Sequence, residues 1–248
     1  MTENSTENST NPKRTALVTG ANKGIGYEIA AGLARLGFRV GVGARDAGRR
    51  EDAVAKLRAE GHDVFGVPLD VTDDASVAAA AAQLEAGGLD VLVNNAAITG
   101  GAPFEPSQVS AAQVLAVVDT NVVGVIRVTN AMLPLLRRSA SPRIVNVSST
   151  VGSLTLQTAQ ADAVGPVNAS YSPSKTFLNA VTIQYAKELA GTGVLVNAGC
   201  PGYVATDLNG HQGTRTPEQG AAIFLELATL PDDGPSGTFR DETGPQPW

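Results

Sequence analysis

The chain has 248 residues, 43% of them hydrophobic and 17% charged, which is typical of a globular protein with one large α/β domain or two small ones. The net charge is −6 and no basic stripe offsets it, which argues against nucleic acid as a main partner. The single cysteine excludes an intrachain disulfide and a cysteine-based metal site. The two histidines are far apart, no apolar run approaches the roughly 20 residues of a membrane span, and the polar start is not a secretory signal, so we expect no metal, no membrane contact and a cytoplasmic location.

Strand and helix patterns alternate after a polar start. Residues 1–12 predict a flexible tail, and residues 13–248 contain no linker, so we expect one domain. Apolar runs predict strands at residues 15–19, 38–43, 64–69, 89–93, 143–147, 194–198 and 237–239. Helices are predicted at residues 25–36, 46–60, 73–85, 107–138 with a break near 121–124, 171–190, and from 216 onward. This alternation predicts a doubly wound, Rossmann-type α/β fold, with a parallel sheet of about seven strands and helices on both faces.

A glycine-rich turn, TGANKGIG at residues 19–26, joins the first predicted strand to the first helix. Gly20 permits a tight turn, Gly24 lets the backbone approach a pyrophosphate, and Gly26 lets the helix lie close to the sheet. The helix N-terminus offers free N–H groups and a partial positive charge to phosphates. A connection without a ligand is the alternative, but the strand–turn–helix context favours a dinucleotide site. The other turn residues expected to line it are Asn22, Lys23 and Ile25.

The end of the second strand indicates which dinucleotide is bound. An acid at this position is typical of NAD sites, and a basic group is typical of NADP sites. Here Ala44 is neutral and Arg45 follows it, while Lys23 lies in the glycine turn, and both cations could reach a 2′-phosphate. Asp46 is a contrary signal, which we interpret as the cap of the next helix. The sequence therefore predicts NADP(H).

Two further strand ends carry candidate cofactor residues. Asp70, followed by Val71, could accept a hydrogen bond from an adenine amino group, or it could be a loop residue without a ligand. Asn95 and Ala96 follow the fourth strand, where small and amide side chains suit a backbone that passes close to a cofactor. Stabilisation of neighbouring strands is the competing role for the asparagines, and both roles are compatible.

A phenol and an ammonium lie four residues apart at the start of a helix, at Tyr171 and Lys175, which places them on one face. A free phenol has a pKa of about 10, and a neighbouring lysine together with an oxidised nicotinamide would lower it. Such a tyrosine can protonate a ketone oxygen or deprotonate an alcohol. Taken alone, the pair is a common surface arrangement.

Two serines follow the fifth predicted strand and give the tyrosine–lysine pair more weight. Ligands of doubly wound sheets bind outside the carboxyl ends of the strands, where Ser148 and Ser149 lie. A hydroxyl there can donate a hydrogen bond to a substrate carbonyl oxygen. The alternative is a simple cap of the strand end.

Together these motifs resemble the short-chain dehydrogenase/reductase family over about residues 14–240. The matching pieces, in order, are residues 19–26, residues 94–97, Asn121, Ser149 with Tyr171 and Lys175, and Pro201-Gly202 followed by Thr206. Residues 43–46, the Asn22-Lys23 turn and the final Pro-Trp are most similar to its carbonyl-reductase-like branch. Two departures are Ala97, where the family usually has glycine, and a segment over residues 150–170 that is longer than in the commonest arrangement.

The resemblance implies an enzyme that uses NADPH to reduce ketones, aldehydes or quinones. Tyr171 would be the acid/base, Lys175 would bind the nicotinamide ribose and lower the tyrosine pKa, and Ser149, in preference to Ser148, would orient the substrate oxygen. Asn121 would hold a water that links Lys175 to solvent. The residues implied to lie against the nicotinamide are Pro201, Gly202, Val204 and Thr206.

Several alternatives stay open at this point. An NAD-dependent alcohol dehydrogenase and a non-catalytic dinucleotide sensor would share the fold. The expected partner is a small-molecule carbonyl substrate, while a monomer, a homodimer and a homotetramer are all compatible with the sequence. Residues 150–170 predict a loop over the substrate pocket, with a solvent loop as the alternative.

Overall fold

The computed structural model describes residues 13–159 and 164–248, so the predicted tail over residues 1–12 lies outside the described residues. The strands are β1 Thr15–Thr19, β2 Arg39–Ala44, β3 Val64–Pro68, β4 Val91–Asn94, β5 Arg143–Val147, β6 Leu195–Gly199, β7 Phe239–Asp241 and β8 Gly244–Pro245. The helices are α1 Gly24–Arg35, α2 Ala47–Ala59, α3 Asp74–Leu84, α4 Ala111–Val118, α5 Gly124–Leu136, α6 Leu154–Ala159, α7 Tyr171–Glu188 and α8 Pro217–Ala228.

One sheet runs through the described residues in the order β3-β2-β1-β4-β5-β6-β7-β8. The pairs from β3 to β7 are parallel, which confirms the doubly wound α/β fold. The sheet has eight strands rather than about seven, because the chain turns back after β7 and adds β8 antiparallel to it. The two residues of β8 are too few to produce a hydrophobic period, so the sequence carried no signal for this strand.

Apolar side chains form a core on each face of the sheet. Buried residues of α1, α2 and α8 pack on one face, and buried residues of α3, α5 and α7 pack on the other. The strands between them are apolar on both sides, as a parallel sheet covered by helices requires. This arrangement fixes the carboxyl ends of β1, β2, β4, β5 and β6 along one edge.

The long helix predicted over residues 107–138 is interrupted where a break was expected. It begins after Ser110, whose hydroxyl caps α4 by accepting from the Gln113 N–H at 3.1 Å. A π-helical turn at Asp119–Val123 separates α4 from α5. The whole stretch, Ala111–Leu136, has the length and apolar composition of a membrane span, contrary to our expectation that no run approached this. Its Val122 and Met132 side chains, among others, are packed into the core.

The segment between residues 150 and 170 is more ordered than the plain loop we expected. A 3₁₀ turn at Thr150–Gly152 is followed by α6, whose first turn is capped by the Ser153 hydroxyl accepting from the Leu156 N–H at 3.1 Å. The cap lets a short run of ordinary helix formers fold. Residues 160–163 lie outside the described part.

Candidate active site

The glycine turn after β1 adopts a backbone that its glycines make possible. Gly20 and Gly24 have φ values of +63° and +56°, in the left-handed region. A Cβ atom at Gly26 would lie 2.4 Å from the side-chain nitrogen of Asn95 and 2.5 Å from the Gly20 carbonyl oxygen, so a larger residue would not fit. Lys23 precedes α1 and, within the described chain, gives it no side-chain cap, so the helix N-terminus keeps its N–H groups for another acceptor.

Asn95 holds this turn in place. Its side-chain amide donates to the carbonyl oxygens of Thr19 at 2.8 Å and Gly20 at 3.1 Å. The Thr19 hydroxyl in turn accepts from the N–H groups of Asn95 at 2.9 Å and Ala96 at 3.0 Å. The structural role that the sequence left open for the asparagines is therefore present, and it fixes the loop after β4 against the turn.

A groove of about 870 Å³ runs along the carboxyl edge of the sheet. Its size is within the range of small-molecule and cofactor sites, roughly 300–1,000 Å³. Most of the predicted cofactor residues line it together, namely Gly20, Asn22, Lys23, Gly24, Ile25, Gly26, Arg45, Asp70, Val71, Asn95, Ala96 and Thr206. The structure thus brings these distant segments to one surface, while their contacts to a cofactor stay a prediction.

Lys23 is engaged across the groove. Its ammonium lies 2.5 Å from a carboxylate oxygen of Asp207, in the loop after β6, and the other oxygen of Asp207 lies 2.8 Å from His211. The hydrogen bond from Lys23 holds the pKa of Asp207 below its usual range. Lys23 therefore has a competing partner to the 2′-phosphate that the sequence analysis assigned to it.

Two guanidinium groups lie in the groove at the end of β2. Arg45 is exposed there, as expected, and Arg49 in the first turn of α2 lines the same groove. Arg49 was not among the predicted site residues, because Arg45 lies outside α2 and the helical spacing rule does not connect the two. Asp46 caps α2 by accepting from the Arg49 N–H at 2.9 Å, which confirms its interpretation as a cap. Arg50 is buried and donates to the Ala44 carbonyl, so it has a structural role.

Asp70 has a local structural role, while its predicted contact with an adenine amino group stays a prediction. One of its carboxylate oxygens accepts from the N–H and the hydroxyl of Thr72, at 2.9 and 2.7 Å. These bonds hold the pKa of Asp70 below its usual value. The residue forms a local turn and lines the groove as well.

Tyr171 and Lys175 share one face at the start of α7. The lysine ammonium lies 5.4 Å from the centre of the tyrosine ring and donates to the Val147 carbonyl at 2.7 Å. Burial lowers the pKa of Lys175 to about 8, whereas burial first, and the nearby Cys200 second, raise the pKa of Tyr171 above its ordinary value. We expected a lowered pKa for Tyr171, but desolvation of the buried phenolate is the largest influence on this pKa and raises it.

Asn121 connects the loop after β4 to α7. Its side chain exchanges two hydrogen bonds of 2.9 Å with the backbone of Ile98, and it donates at 3.0 Å to the hydroxyl of Ser174. That hydroxyl donates to the carbonyl of Tyr171 at 2.6 Å. The π-helical turn that presents Asn121 is of a kind frequent at functional sites. The proton relay implied for Asn121 stays a prediction.

Asn168 holds the backbone at the start of α7, although it was not among the predicted site residues. The side-chain oxygen of Asn168 accepts from the N–H groups of Ser170 at 3.1 Å and Tyr171 at 2.8 Å. The Ala169 N–H donates to the Phe104 carbonyl at 2.9 Å. An asparagine side chain that accepts from the backbone N–H two residues further on forms an Asx turn, which is common before helices. These bonds fix the backbone of Tyr171 on its N-terminal side.

The two serines after β5 differ in their surroundings. Ser148 is buried, and its hydroxyl donates to the side-chain oxygen of Asn179 at 2.5 Å. Ser149 is only partly buried, and its hydroxyl accepts from the Val151 N–H at 3.4 Å. The commitment of Ser148 to Asn179 agrees with the preference for Ser149 as the substrate-facing hydroxyl.

Several predicted site residues lie outside the lining of the groove in the described part of the chain, namely Ser149, Tyr171, Lys175, Asn121, Pro201, Gly202 and Val204. Pro201 and Gly202 line a separate cavity of about 50 Å³ beside Cys200. Val204 is buried against α8, where a Cβ atom at Gly220 would lie 2.6 Å from its side chain. The side chain of Val204 therefore packs against α8, and a contact of this residue with a cofactor stays a prediction.

The arrangement can transfer a proton to an oxygen. It combines a phenol, a buried ammonium and a serine hydroxyl at the carboxyl edge of a parallel sheet, next to a groove with a free helix N-terminus. No cluster of three metal-ligating side chains occurs within residues 13–159 and 164–248. The chemistry that these groups support is acid–base catalysis beside a bound dinucleotide.

Comparisons with known proteins agree with this geometry. The family model described as short chain dehydrogenase matches residues 14–216. The chain is 36% identical to short-chain dehydrogenase/reductase 1 of Saponaria officinalis, covering 94% of this chain and 96% of that protein. It is 35% identical to carbonyl reductase (NADPH) 1 of Sus scrofa, covering 95% and 94%. The solved structure of salutaridine reductase from Papaver somniferum has a TM-score of 0.80 and 33% identity, covering 92% of this chain and 99% of that one. The chain therefore belongs to the short-chain dehydrogenase/reductase family of oxidoreductases.

Proposed function

We propose that this protein is an NADPH-dependent reductase that converts a ketone, aldehyde or quinone carbonyl into the alcohol. The observation that carries the proposal is the placement of Tyr171 and Lys175 on one turn of α7, with the lysine ammonium bonded to the end of the strand that leads to Ser149. A phenol beside a buried ammonium is what a proton donor to a carbonyl oxygen needs, whereas a simple dinucleotide sensor does not.

The glycine turn and groove fit a nicotinamide dinucleotide. A Cβ atom at Gly26 would occupy the space in which the turn closes on Asn95, and α1 offers an N-terminus without a side-chain cap in the described chain. These features suit a pyrophosphate held by backbone N–H groups. When bound, NADPH would supply the hydride that reaches the carbonyl carbon.

The protein residues would then manage the carbonyl oxygen. Ser149 would donate a hydrogen bond to this oxygen and orient it. Tyr171 would give up its phenolic proton as charge develops there, and the Lys175 ammonium would stabilise the phenolate that remains. Asn121 and its water would return a proton through Lys175, and the bonds of the Asn121 side chain to Ile98 and Ser174 would hold Asn121 beside the start of α7.

The preference for NADPH over NADH rests on Arg45 and Arg49. Both line the groove beyond the neutral end of β2, and two guanidinium forks suit a 2′-phosphate. The name of the Sus scrofa relative specifies NADPH, which supports the same choice. Lys23 is a weaker contributor, because Asp207 already accepts from its ammonium.

The first experiment removes the proton donor. Tyr171→Phe keeps the ring, so we expect NADPH binding to be retained while turnover falls roughly 10²–10⁴-fold, the usual contribution of a general acid. NADPH oxidation is measured against a panel of ketones, aldehydes and quinones, and cofactor binding is measured by fluorescence titration. Near-normal turnover of the variant would show that the catalytic assignment is wrong.

The second experiment tests cofactor choice. Arg45→Asp places a negative charge where the 2′-phosphate is expected, so the Kd for NADPH should rise roughly 10-fold or more, about 1.4 kcal/mol, while the Kd for NADH stays similar or falls. Arg49→Asp should act in the same direction. Arg35→Asp, the same charge change at the far end of α1, is the matched control. An unchanged ratio of the two Kd values in both groove variants contradicts NADPH selectivity through these residues.

A further inference from the structure

Helix α7 carries a third polar residue on the face that presents Tyr171 and Lys175. Asn179 follows Lys175 by four residues and is only 3% exposed. The proposed function gives it no role, and a buried amide in a helix interior is unfavourable unless its polar atoms are bonded. Its partners therefore indicate what it does.

Both polar atoms of the Asn179 side chain bond to the segment that contains Ser149. The oxygen accepts from the Ser148 hydroxyl at 2.5 Å, and the nitrogen donates to the Gly152 carbonyl at 3.3 Å. These partners lie on either side of Ser149 in the sequence. A third bond, from Lys175 to the Val147 carbonyl at 2.7 Å, joins the same helix to the residue before Ser148.

The 3₁₀ turn after Ser149 is packed closely against α7, so a shift of the helix would also shift this turn. A Cβ atom at Gly152 would lie 2.7–2.9 Å from backbone and Cβ atoms of Lys175, so the 3₁₀ turn rests directly on the helix at the catalytic lysine. Ser149 itself receives only local bonds in the described residues, from the N–H groups of Val151 at 3.4 Å and Gly152 at 2.9 Å. Its location relative to α7 therefore depends on its neighbours.

We propose that Asn179 is a positioning residue, which sets the distance between the Ser149 hydroxyl and the Tyr171 phenol by clamping Ser148 and Gly152 to the helix that carries the phenol. This inference rests on the proposed function, in which both groups act on one carbonyl oxygen. A misplacement of about 1 Å can cost roughly 10²-fold in rate. Asn179 thus makes the acid and the orienting hydroxyl parts of one rigid unit.

The test begins with two variants of Asn179. Asn179→Leu removes both bonds and keeps the branched shape and number of side-chain heavy atoms, and we expect kcat to fall about 10- to 100-fold, with a smaller change in KM and an NADPH Kd within about twofold of the parent. Asn179→Asp keeps the acceptor for Ser148 but loses the donor to Gly152, so its kcat should be intermediate. Ser148→Ala removes one hydroxyl, and we expect its fall in log kcat to be about half of the fall caused by Asn179→Leu. This smaller variant tests the same contact if Asn179→Leu folds poorly.

A buried asparagine elsewhere provides the matched control. Asn197 in β6 donates to the Pro235 carbonyl at 2.8 Å and accepts from the Thr238 N–H at 2.9 Å, and neither partner belongs to α7. Asn197→Leu should lower Tm but leave kcat of the folded protein within about twofold. If it lowers kcat as much as Asn179→Leu does, the Asn179 effect is a general loss of stability and the proposal is overturned.

A double-mutant cycle with Ser149→Ala separates positioning from other roles. Once the hydroxyl is absent its position is irrelevant, so Asn179→Leu should change kcat less than twofold in the Ser149→Ala background. Full additivity of the two effects overturns the inference but leaves the proposed function standing. A Ser149→Ala variant with normal turnover overturns the proposed role of Ser149 instead.

Discussion

At the scale of single residues, burial sets the protonation of the two groups on α7. Removing Lys175 from water disfavours its charge and lowers its pKa to about 8, and the same effect on the phenolate raises the pKa of Tyr171. The phenol therefore holds its proton throughout the neutral range, which is the protonation state of a proton donor, although the raised pKa makes it a weaker acid. The ammonium is the group that titrates within the working range of an enzyme.

These directions predict the pH profile of carbonyl reduction. Below about pH 8 Lys175 is charged and can stabilise the phenolate left by proton transfer; as pH rises through its pKa of about 8, this charge is lost. We expect kcat/KM for reduction to be level between about pH 6 and 7.5 and to fall above pH 8, with no acidic limb from Tyr171. The profile is measured by NADPH oxidation in constant-ionic-strength buffers.

Lys175→Arg is the informative comparison for this profile. A guanidinium keeps its charge to much higher pH, so the alkaline fall should move out of range even though the altered shape lowers the rate. A parent profile that stays level through pH 9.5, or an arginine variant that falls at the same pH as the parent, would remove Lys175 as the titrating group.

At the scale of elements, the segments that follow β4, β5 and β6 carry exposed apolar side chains, which we call the apolar rim and expect to face the reacting groups. Large apolar side chains are exposed on the segment after β4, on α6, on the stretch before α7 and on the loop after β6. They are Phe104 (41% exposed), Leu154 (61%), Val167 (64%), Tyr203 (53%) and Leu208 (41%). Exposed apolar side chains grouped near a site commonly mark the ligand surface. We therefore expect the substrate to carry an apolar body next to its carbonyl group.

Val167→Ser tests the apolar rim. The change removes apolar contact area. One methylene group in a hydrophobic pocket contributes at most about 1–3 kcal/mol to transition-state binding, so we expect kcat/KM for a bulky apolar ketone to fall roughly 5- to 10-fold. A small hydrophilic ketone should be affected less than twofold. Leu36→Ser, at an exposed apolar residue beyond the end of α1, is the control and should leave the ranking of substrates unchanged. Equal losses for both ketones would show that Val167 does not contact the substrate.

The elements that the sequence predicted well are those with a strong local period. The buried strands β1 and β5 were predicted with the observed bounds, because uninterrupted apolar runs signal central parallel strands. The short elements were missed. Helix α6 depends on the Ser153 cap, and β8 depends on pairing with β7, so neither has a hydrophobic period of its own.

At the scale of the whole molecule, the position of the site followed from the fold, whereas its internal contacts did not. Parallel strands place their carboxyl ends at one edge, so the turn after β1 and the serines after β5 were expected there. Lys23 pairs with Asp207, and Ser148 pairs with Asn179 in the interior of α7. Each pair joins residues that are far apart in the sequence, so no local motif indicates it. The raised pKa of Tyr171 depends on burial, which no spacing of residues reveals.

The bonds between Asn95 and the glycine turn bear on the thermodynamics of cofactor binding. Hydrogen bonds of 2.8–3.1 Å join Thr19, Gly20 and Asn95 and brace the turn before any ligand binds. A loop that is ordered in advance loses little conformational entropy when a ligand arrives, so less of the interaction energy is consumed in ordering it. The three glycines of the turn are flexible in the unfolded chain and lose this conformational entropy when the protein folds. We therefore expect little further loss of conformational entropy in the turn when a dinucleotide binds.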